Sequence, residues 1–217
     1  LELSLAPSGE KLNAKNIIIA TGSKPFALPM LDYSMPNVLD SKKALQVTKA
    51  PKSIIIVGAG AIGMEFATVF RSYGAQVHIV EMLPRVLPNE DAEISALVEK
   101  EFRKKGFDVH VGTNLTSVEN DGKTVKAQFE KDGKTFALES ECILAATGVR
   151  PNTEELNLKS FGIKMDRRGY IEVDANMRTS VPGVYAIGDV TGKLALAHTA
   201  SAQGMQAAGH ICGKRTE

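Results

Sequence analysis

The chain has 217 residues, 43% of them hydrophobic, with 26 Lys and Arg set against 25 Asp and Glu. That is enough apolar chain for one large domain or two modest ones. A charge balance this even, with no basic stripe interleaved with aromatics, removes any electrostatic case for nucleic acid as a partner. No apolar run approaches the roughly 18 residues of a membrane span, and the start at Leu1 has no charged segment ahead of a hydrophobic one. The expectation is a soluble, cytoplasmic protein with no membrane partner.

From Leu1, "LELSLAPSGEKLNAKNIIIATGS" alternates, turns at "PSGE" and ends in an apolar run, the pattern of a hairpin feeding a buried strand. A Pro-containing loop from Pro25 to Pro36 leads to "NVLDSKKALQV", a short predicted helix with Ser41 as N-cap and Pro51 beyond its end. Next, "KSIIIVGAGAIGMEFATVFRSYGAQVHIVE" places a β-branched run, a glycine turn, a helix and a second β-branched run within the length of one βαβ unit. "NEDAEISALVEKEFRKKG" predicts a helix whose inward stripe is Ile94, Leu97, Val98 and Phe102, stopped by Gly106, and "FDVHV" is the strand after it. The stretch from Leu115 to Thr147 changes period: two alternating segments flank "KDGK" and a continuous apolar strand follows, which reads as an antiparallel meander returning to a buried strand. "GVYAIGDV" is a further apolar strand, and "HTASAQGMQAAGHI" is a small-residue helix.

The glycine turn carries the chemistry. Gly58, Gly60 and Gly63 form GxGxxG directly after "SIIIV" and at the mouth of a helix, and the next strand ends in Glu81. That context distinguishes a dinucleotide site from a merely glycine-rich turn. Gly58 permits the tight turn, Gly60 removes a side chain where a pyrophosphate must approach, and Gly63 lets the helix pack closely, while the helix N-terminus offers free N–H groups to the phosphates. Glu81 stands where a carboxylate accepts both ribose hydroxyls and repels a 2′-phosphate, which favours NAD over NADP; the plainer reading is an exposed acid at a strand end, with Arg85 nearby. Glu65, two residues beyond Gly63, fits either a site role or a favourable charge near the helix start.

Two cysteines, Cys142 in a predicted strand and Cys212 near the end, make neither a disulfide framework nor a metal spacing, and both are expected as buried or half-buried apolar residues. His78, His110, His198 and His210 are scattered, with no acid or cysteine at ligand spacing, so no metal site is expected.

Taken in order, "VGAGAIGMEFA", "EMLPRVLPNEDAEIS", "AATGVRPN", "TSVPGVYAIGDV" and "LAHTASAQG" resemble the flavin-dependent pyridine nucleotide–disulfide oxidoreductases, most of all the dihydrolipoamide dehydrogenase branch, over essentially the whole chain. The resemblance implies an α/β fold of the FAD/NAD(P)-binding, Rossmann-like kind, a parallel sheet with helices and an antiparallel β-meander, in which an NAD domain is inserted in a partial FAD domain. The implied division is residues 1–43 and 169–217 for the FAD domain and 44–168 for the NAD domain. On the NAD side the matching positions are Gly58, Ala59, Gly60, Ala61, Ile62, Gly63, Met64 and Glu65, with Glu81, Leu115 against the adenine, and Gly148. On the FAD side, Thr21, Gly22 and Ser23 match the Ala-Thr-Gly turn. Asp189 matches the acid that holds the flavin ribitol, and Leu196, Ala197 and His198 match the segment beside the flavin ring.

No catalytic residue is assigned. His198 belongs by resemblance to the flavin-contacting stretch, and the family's catalytic His and Glu lie in an interface domain that these residues do not contain. The first GxGxxG and the CxxxxC redox pair of the family are also missing, so the expectation is a fragment without disulfide-reductase turnover and with an incomplete FAD site. The implied parent is a homodimer that oxidises dihydrolipoamide on the lipoyl domains of 2-oxo acid dehydrogenase complexes with NAD⁺, through FAD. Two other readings stand beside it: another family member, such as an NADH oxidase or a glutathione reductase-like enzyme, and a non-catalytic nucleotide-binding module on the same fold.

Overall fold

The computed structural model describes residues 1–5 and 7–214; Ala6, in the predicted hairpin, and residues 215–217, in the last predicted segment, lie outside the described residues. In chain order the elements are β1 (Glu2–Leu5), β2 (Glu10–Asn13), β3 (Ile17–Ile19), β4 (Ser23–Pro25), β5 (Val38–Leu39), α1 (Ser41–Ala44), β6 (Ser53–Val57) and α2 (Ala61–Ser72). They continue as β7 (Gln76–Glu81), α3 (Ala92–Lys104), β8 (Asp108–Val111), β9 (Asn114–Asn120), β10 (Val125–Lys131), β11 (Lys134–Ser140), β12 (Cys142–Ala145), β13 (Val149–Pro151), β14 (Val184–Ala186) and α4 (Ala197–Ile211). The chain forms two compact units, one of Leu1–Lys24 with Val149–Glu217 and one of Pro25–Gly148.

The Pro25–Gly148 unit is built on a parallel sheet of order β5-β12-β6-β7-β8. Its central strands are rich in buried apolar residues, Ile54, Ile55, Ile56 and Val57 of β6 and Ile143, Leu144 and Ala145 of β12, because both faces are covered. Along β6, Ile54 and Ile56 pack into a core with Met64, Ala67 and Phe70 of α2, while Ile55 and Val57 pack into a second core with Val125, Ala127 and Phe129 of β10. The period of two along one strand thus feeds two separate cores. The second core is closed by the antiparallel meander β11-β10-β9, whose β10–β11 turn places Asp132 and Gly133 at φ 52° and 74°, as a type I′ hairpin requires.

Two of the three helices of this unit, α1 and α3, differ from their sequence patterns. In α1 the N-cap is Asp40, whose carboxylate accepts from Lys43 N at 2.8 Å, and Ser41 is already helical; the helix ends at Ala44, well before Pro51. In α3 the N-cap is Asp91, and Ser95 is fully buried with its hydroxyl donating to Leu87 O at 3.0 Å. Val98 and Phe102 pack inward as expected, but Ile94 and Leu97 are 52% and 57% exposed. The inward face of α3 is therefore rotated onto Ser95, because the hydroxyl satisfies a loop carbonyl that an apolar residue would leave unpaired.

The other unit holds the β1–β2 hairpin, the parallel pair β14-β3 and the pair β13-β4. Ile19, Leu158, Ile163, Ile171, Val184, Ala186 and Val190 form its main core. The strand predicted as buried is only partly so: Ile19 is buried, whereas Ile18 is 40% exposed and lines an apolar hollow of about 340 Å³ beside Leu156 and Phe161. The seams of these units also differ from the predicted 43/44 and 168/169. Val38 of β5 pairs with Ile143 of β12, and residues 25–43 fall in the Pro25–Gly148 unit. Leu158 and Ile163 pack with Ile19 and Val184, which commits residues 149–168 to the other unit.

Candidate functional site

At the C-terminal ends of β6 and β7, Gly58 has φ 107°, and its N–H donates to Val80 O at 2.8 Å. A Cβ at Gly58 would lie 2.4 Å from Ala146 O, and one at Gly63 would lie 1.9 Å from Gly58 O. Neither position admits a side chain. Gly60 is different: a Cβ there meets nothing within 4 Å, so the space over it is open. Gly60 is also the N-cap of α2 and makes no side-chain cap, leaving the first-turn N–H groups of Ala61, Ile62 and Gly63 facing that space without a capping side chain. This is a cradle with a positive helix end and no Cβ above it, which fits a pyrophosphate. Ala59 and Met64 are buried in the core beneath the turn, while Ala61 and Glu65 are exposed.

Glu81 is not the exposed acid of the plainer reading. It is only 8% exposed, and its two carboxylate oxygens accept from Ala59 N at 2.7 Å and Leu83 N at 2.9 Å. The carboxylate therefore ties the end of β7 to the glycine turn, with lone-pair positions remaining for further donors. Arg85 donates to Pro88 O at 2.9 Å, which turns the nearest cation toward its own loop. Leu115 lies half-buried in β9, packed against the second core, and Gly148 is exposed at φ 110° with its carbonyl accepting from Phe26 N at 2.9 Å.

In the other unit, Ser23 and Asp189 are brought together across 166 residues of chain, the Ser23 hydroxyl donating to Asp189 Oδ2 at 2.7 Å. The Thr21 hydroxyl donates to Asn152 O at 2.7 Å, and Asn152 returns donors to Thr21 O and to the carbonyl of Gly22, which sits at φ 68°. Thr21, Gly22 and Asn152, all of this unit, thus close on one another through three hydrogen bonds. Leu196, Ala197 and His198 are exposed at the start of α4, and Leu196 caps that helix without a side-chain bond.

Two expectations about soft and basic side chains need correction. Cys142 is half-buried as predicted, and burial, followed by the charge of Glu141, pushes its thiol pKa up; Cys212 is exposed just past α4, because the helix ends there. The histidines are not all scattered. The parallel register sets His78 opposite Asp108 and Val80 opposite His110, and Asp108 Oδ2 stands 2.8 Å from both His78 Nδ1 and His110 Nε2. Burial raises the Asp108 pKa, but the two imidazoles outweigh it and hold the carboxyl below its ordinary value. The Asp108-x-His110 spacing on one strand face was a readable signal; its partnership with His78 depends on strand register.

The parallel sheet, its helices and the meander, with the glycine turn at the sheet's C-terminal edge, define the class: an α/β protein of the FAD/NAD(P)-binding, Rossmann-like fold. Residues 2–204 match the model of the pyridine nucleotide-disulphide oxidoreductases, and the chain belongs to that family. It is 44% identical over 212 residues to the dihydrolipoyl dehydrogenase of Corynebacterium glutamicum, covering 97% of this chain and 45% of that protein. It is also 44% identical over 206 residues to the dihydrolipoyl dehydrogenase of Mycobacterium leprae, covering 95% and 44%. Among solved structures, LpdA from Mycobacterium tuberculosis superposes with a TM-score of 0.88 at 32% identity, over 100% of this chain and 47% of that one. The chain thus spans less than half the length of these relatives. Among the described residues no helix is long and apolar enough to cross a membrane.

Proposed function

We propose that Pro25–Gly148 is the NAD(H)-binding part of a flavin-dependent oxidoreductase of the dihydrolipoamide dehydrogenase type. The observation that carries this reading is the cradle: Gly58 and Gly63 exclude any side chain by backbone contact, while Gly60 alone opens to free space at an uncapped helix start. In this reading the N–H groups of Ala61, Ile62 and Gly63 bind the pyrophosphate. Glu81, fixed by Ala59 and Leu83, accepts the adenosine ribose hydroxyls and repels a 2′-phosphate. Leu115 and Gly148 flank the nucleotide, and exposed Glu65 stands toward its nicotinamide end.

The Ser23–Asp189 pair, the turn at Thr21 and Gly22, and the exposed start of α4 at Leu196, Ala197 and His198 are assigned to FAD in the same reading. NAD and FAD, when bound, supply hydride transfer and electron relay; the protein supplies binding, orientation and charge. The whole protein would be a homodimer that oxidises dihydrolipoamide carried on lipoyl domains with NAD⁺. The 217 residues assayed by themselves are expected to give no disulfide-reductase turnover, because that exchange needs a reactive, paired thiolate. Cys142 is half-buried with a raised thiol pKa, and Cys212 stands in the other unit.

The test is a fluorescence titration of the chain with NADH. One saturable site is expected, weakened at least tenfold in Gly60→Val, whose Cβ meets no protein atom within 4 Å. Equal NADH affinity in that variant would remove the cradle as the site.

A further inference from the structure

The cluster at His78, Asp108 and His110 lies on the sheet face covered by the meander. His110 marks that face, its ring 5.1 Å from the ring of Phe136 in β11. His78 is buried, and its Nδ1–H donates to Asp108 Oδ2 at 2.8 Å. His110 Nε2 is at an ion-pair distance of 2.8 Å from the same oxygen, yet it lacks the alignment of a hydrogen bond and is shielded from solvent without a hydrogen-bond partner. A buried imidazole nitrogen left in that state is incompletely satisfied. One carboxylate oxygen with a second nitrogen converging on it, poorly used as a hydrogen-bond acceptor, is an arrangement a cation would satisfy.

We propose that His78 Nδ1, Asp108 and His110 Nε2 bind one divalent transition ion of the zinc type, clipping the edge strand β8 to β7. The three ligand atoms lie within 4.8 Å of one another. Tetrahedral zinc at roughly 2.0–2.1 Å from each ligand holds them about 3.3 Å apart, so each nitrogen retreats about 0.5 Å from the carboxylate. Side-chain rotation supplies that. Two neutral imidazoles and one carboxylate select zinc, copper or nickel over magnesium and calcium, which prefer all-oxygen cages. The Asp108 side chain is 45% exposed, which gives the ion an entry path and leaves a fourth position for water. His78 precedes Glu81 by three residues on β7, roughly 10 Å along the strand, so the ion binds independently of the proposed nucleotide.

Calorimetric titration of Zn²⁺ into the chelator-treated chain, paired with thermal unfolding, tests this. One saturable equivalent and a rise in unfolding temperature are expected. Affinity should fall at least tenfold in His110→Phe, which keeps a ring against Phe136, and in Asp108→Asn. It should be unchanged in a His198→Ala, His210→Ala double variant and in a Cys142→Ser, Cys212→Ser double variant. Co²⁺ in place of Zn²⁺ should give the visible absorption of a four-coordinate ion, lost in His110→Phe. Wild-type affinity in both cluster variants, or loss of binding only in the cysteine or distant histidine variants, would overturn the assignment.

Discussion

Gly63 marks the tightest point of the turn, and its replacement separates packing from ligand binding. A Cβ 1.9 Å from Gly58 O forces the first turn of α2 away from β6, so Gly63→Ala should cost roughly 3 kcal/mol in chemical denaturation. Gly60→Val should leave stability nearly unchanged, because its Cβ meets open space. Equal destabilisation by the two would contradict the division of roles. Asp174 offers a pH readout. Burial raises its pKa, but the Arg178 N–H and guanidinium, the latter at 2.6 Å, outweigh that and lower it. A carboxylate with a lowered folded pKa stabilises the fold above its unfolded value of about 3.9, and that contribution disappears as pH falls through the folded value. The stability gap between the wild type and Asp174→Asn should therefore be present at neutral pH and close in strong acid. At this scale the glycines were legible from their spacing between a strand and a helix; only at Gly63 does neighbouring backbone exclude a side chain, since Gly58 meets the distant Ala146 and Gly60 meets open space. Glu81 was legible as a residue but not as a strut, since its bonds to Ala59 and Leu83 depend on how β7 meets the turn.

At the scale of elements, apolar periodicity located the parallel strands, α2 and the meander, because a strand covered on both faces is rich in apolar residues. Periodicity misplaced the inward face of α3. Ile94 and Leu97 fit the helical stripe, but Ser95 is the residue buried there, held by the Leu87 carbonyl. Nothing in a hydrophobicity pattern announces a serine whose hydroxyl bonds the loop leading into its own helix. Asp91→Ala removes the carboxylate that accepts from Glu93 N and Ile94 N, and should cost about 1 kcal/mol. An unchanged denaturation midpoint would mean that α3 is held by packing alone. The β7–β8 register is the other element-scale fact hidden from sequence: it joins His78 to Asp108 across thirty residues, so a cluster readable only in part from Asp108-x-His110 becomes complete.

For the whole molecule, the βαβ unit and the order of motifs were legible, and the seams were not. Val38 is a two-residue strand's worth of signal, yet it pairs with Ile143, and the preceding loop falls in the Pro25–Gly148 unit. The two Ala-Thr-Gly turns look like repeats in sequence, yet they fall in different units, and Thr21 and Gly22 exchange hydrogen bonds with Asn152 of their own unit. Of the residues proposed for FAD, Ser23 and Asp189 are hydrogen-bonded to each other, but the chain spans less than half of its curated relatives, so the purified 217 residues are expected to be colourless. Stoichiometric flavin absorption would show that these residues suffice for FAD. The central claim is that Glu81 and the open turn at Gly60 make an NAD site, and paired titrations with NADH and NADPH test it most directly. Saturable NADH binding at one site, with NADPH at least tenfold weaker and that preference lost in Glu81→Gln, is the expected result; no saturable NADH binding, or tighter NADPH binding, would contradict it.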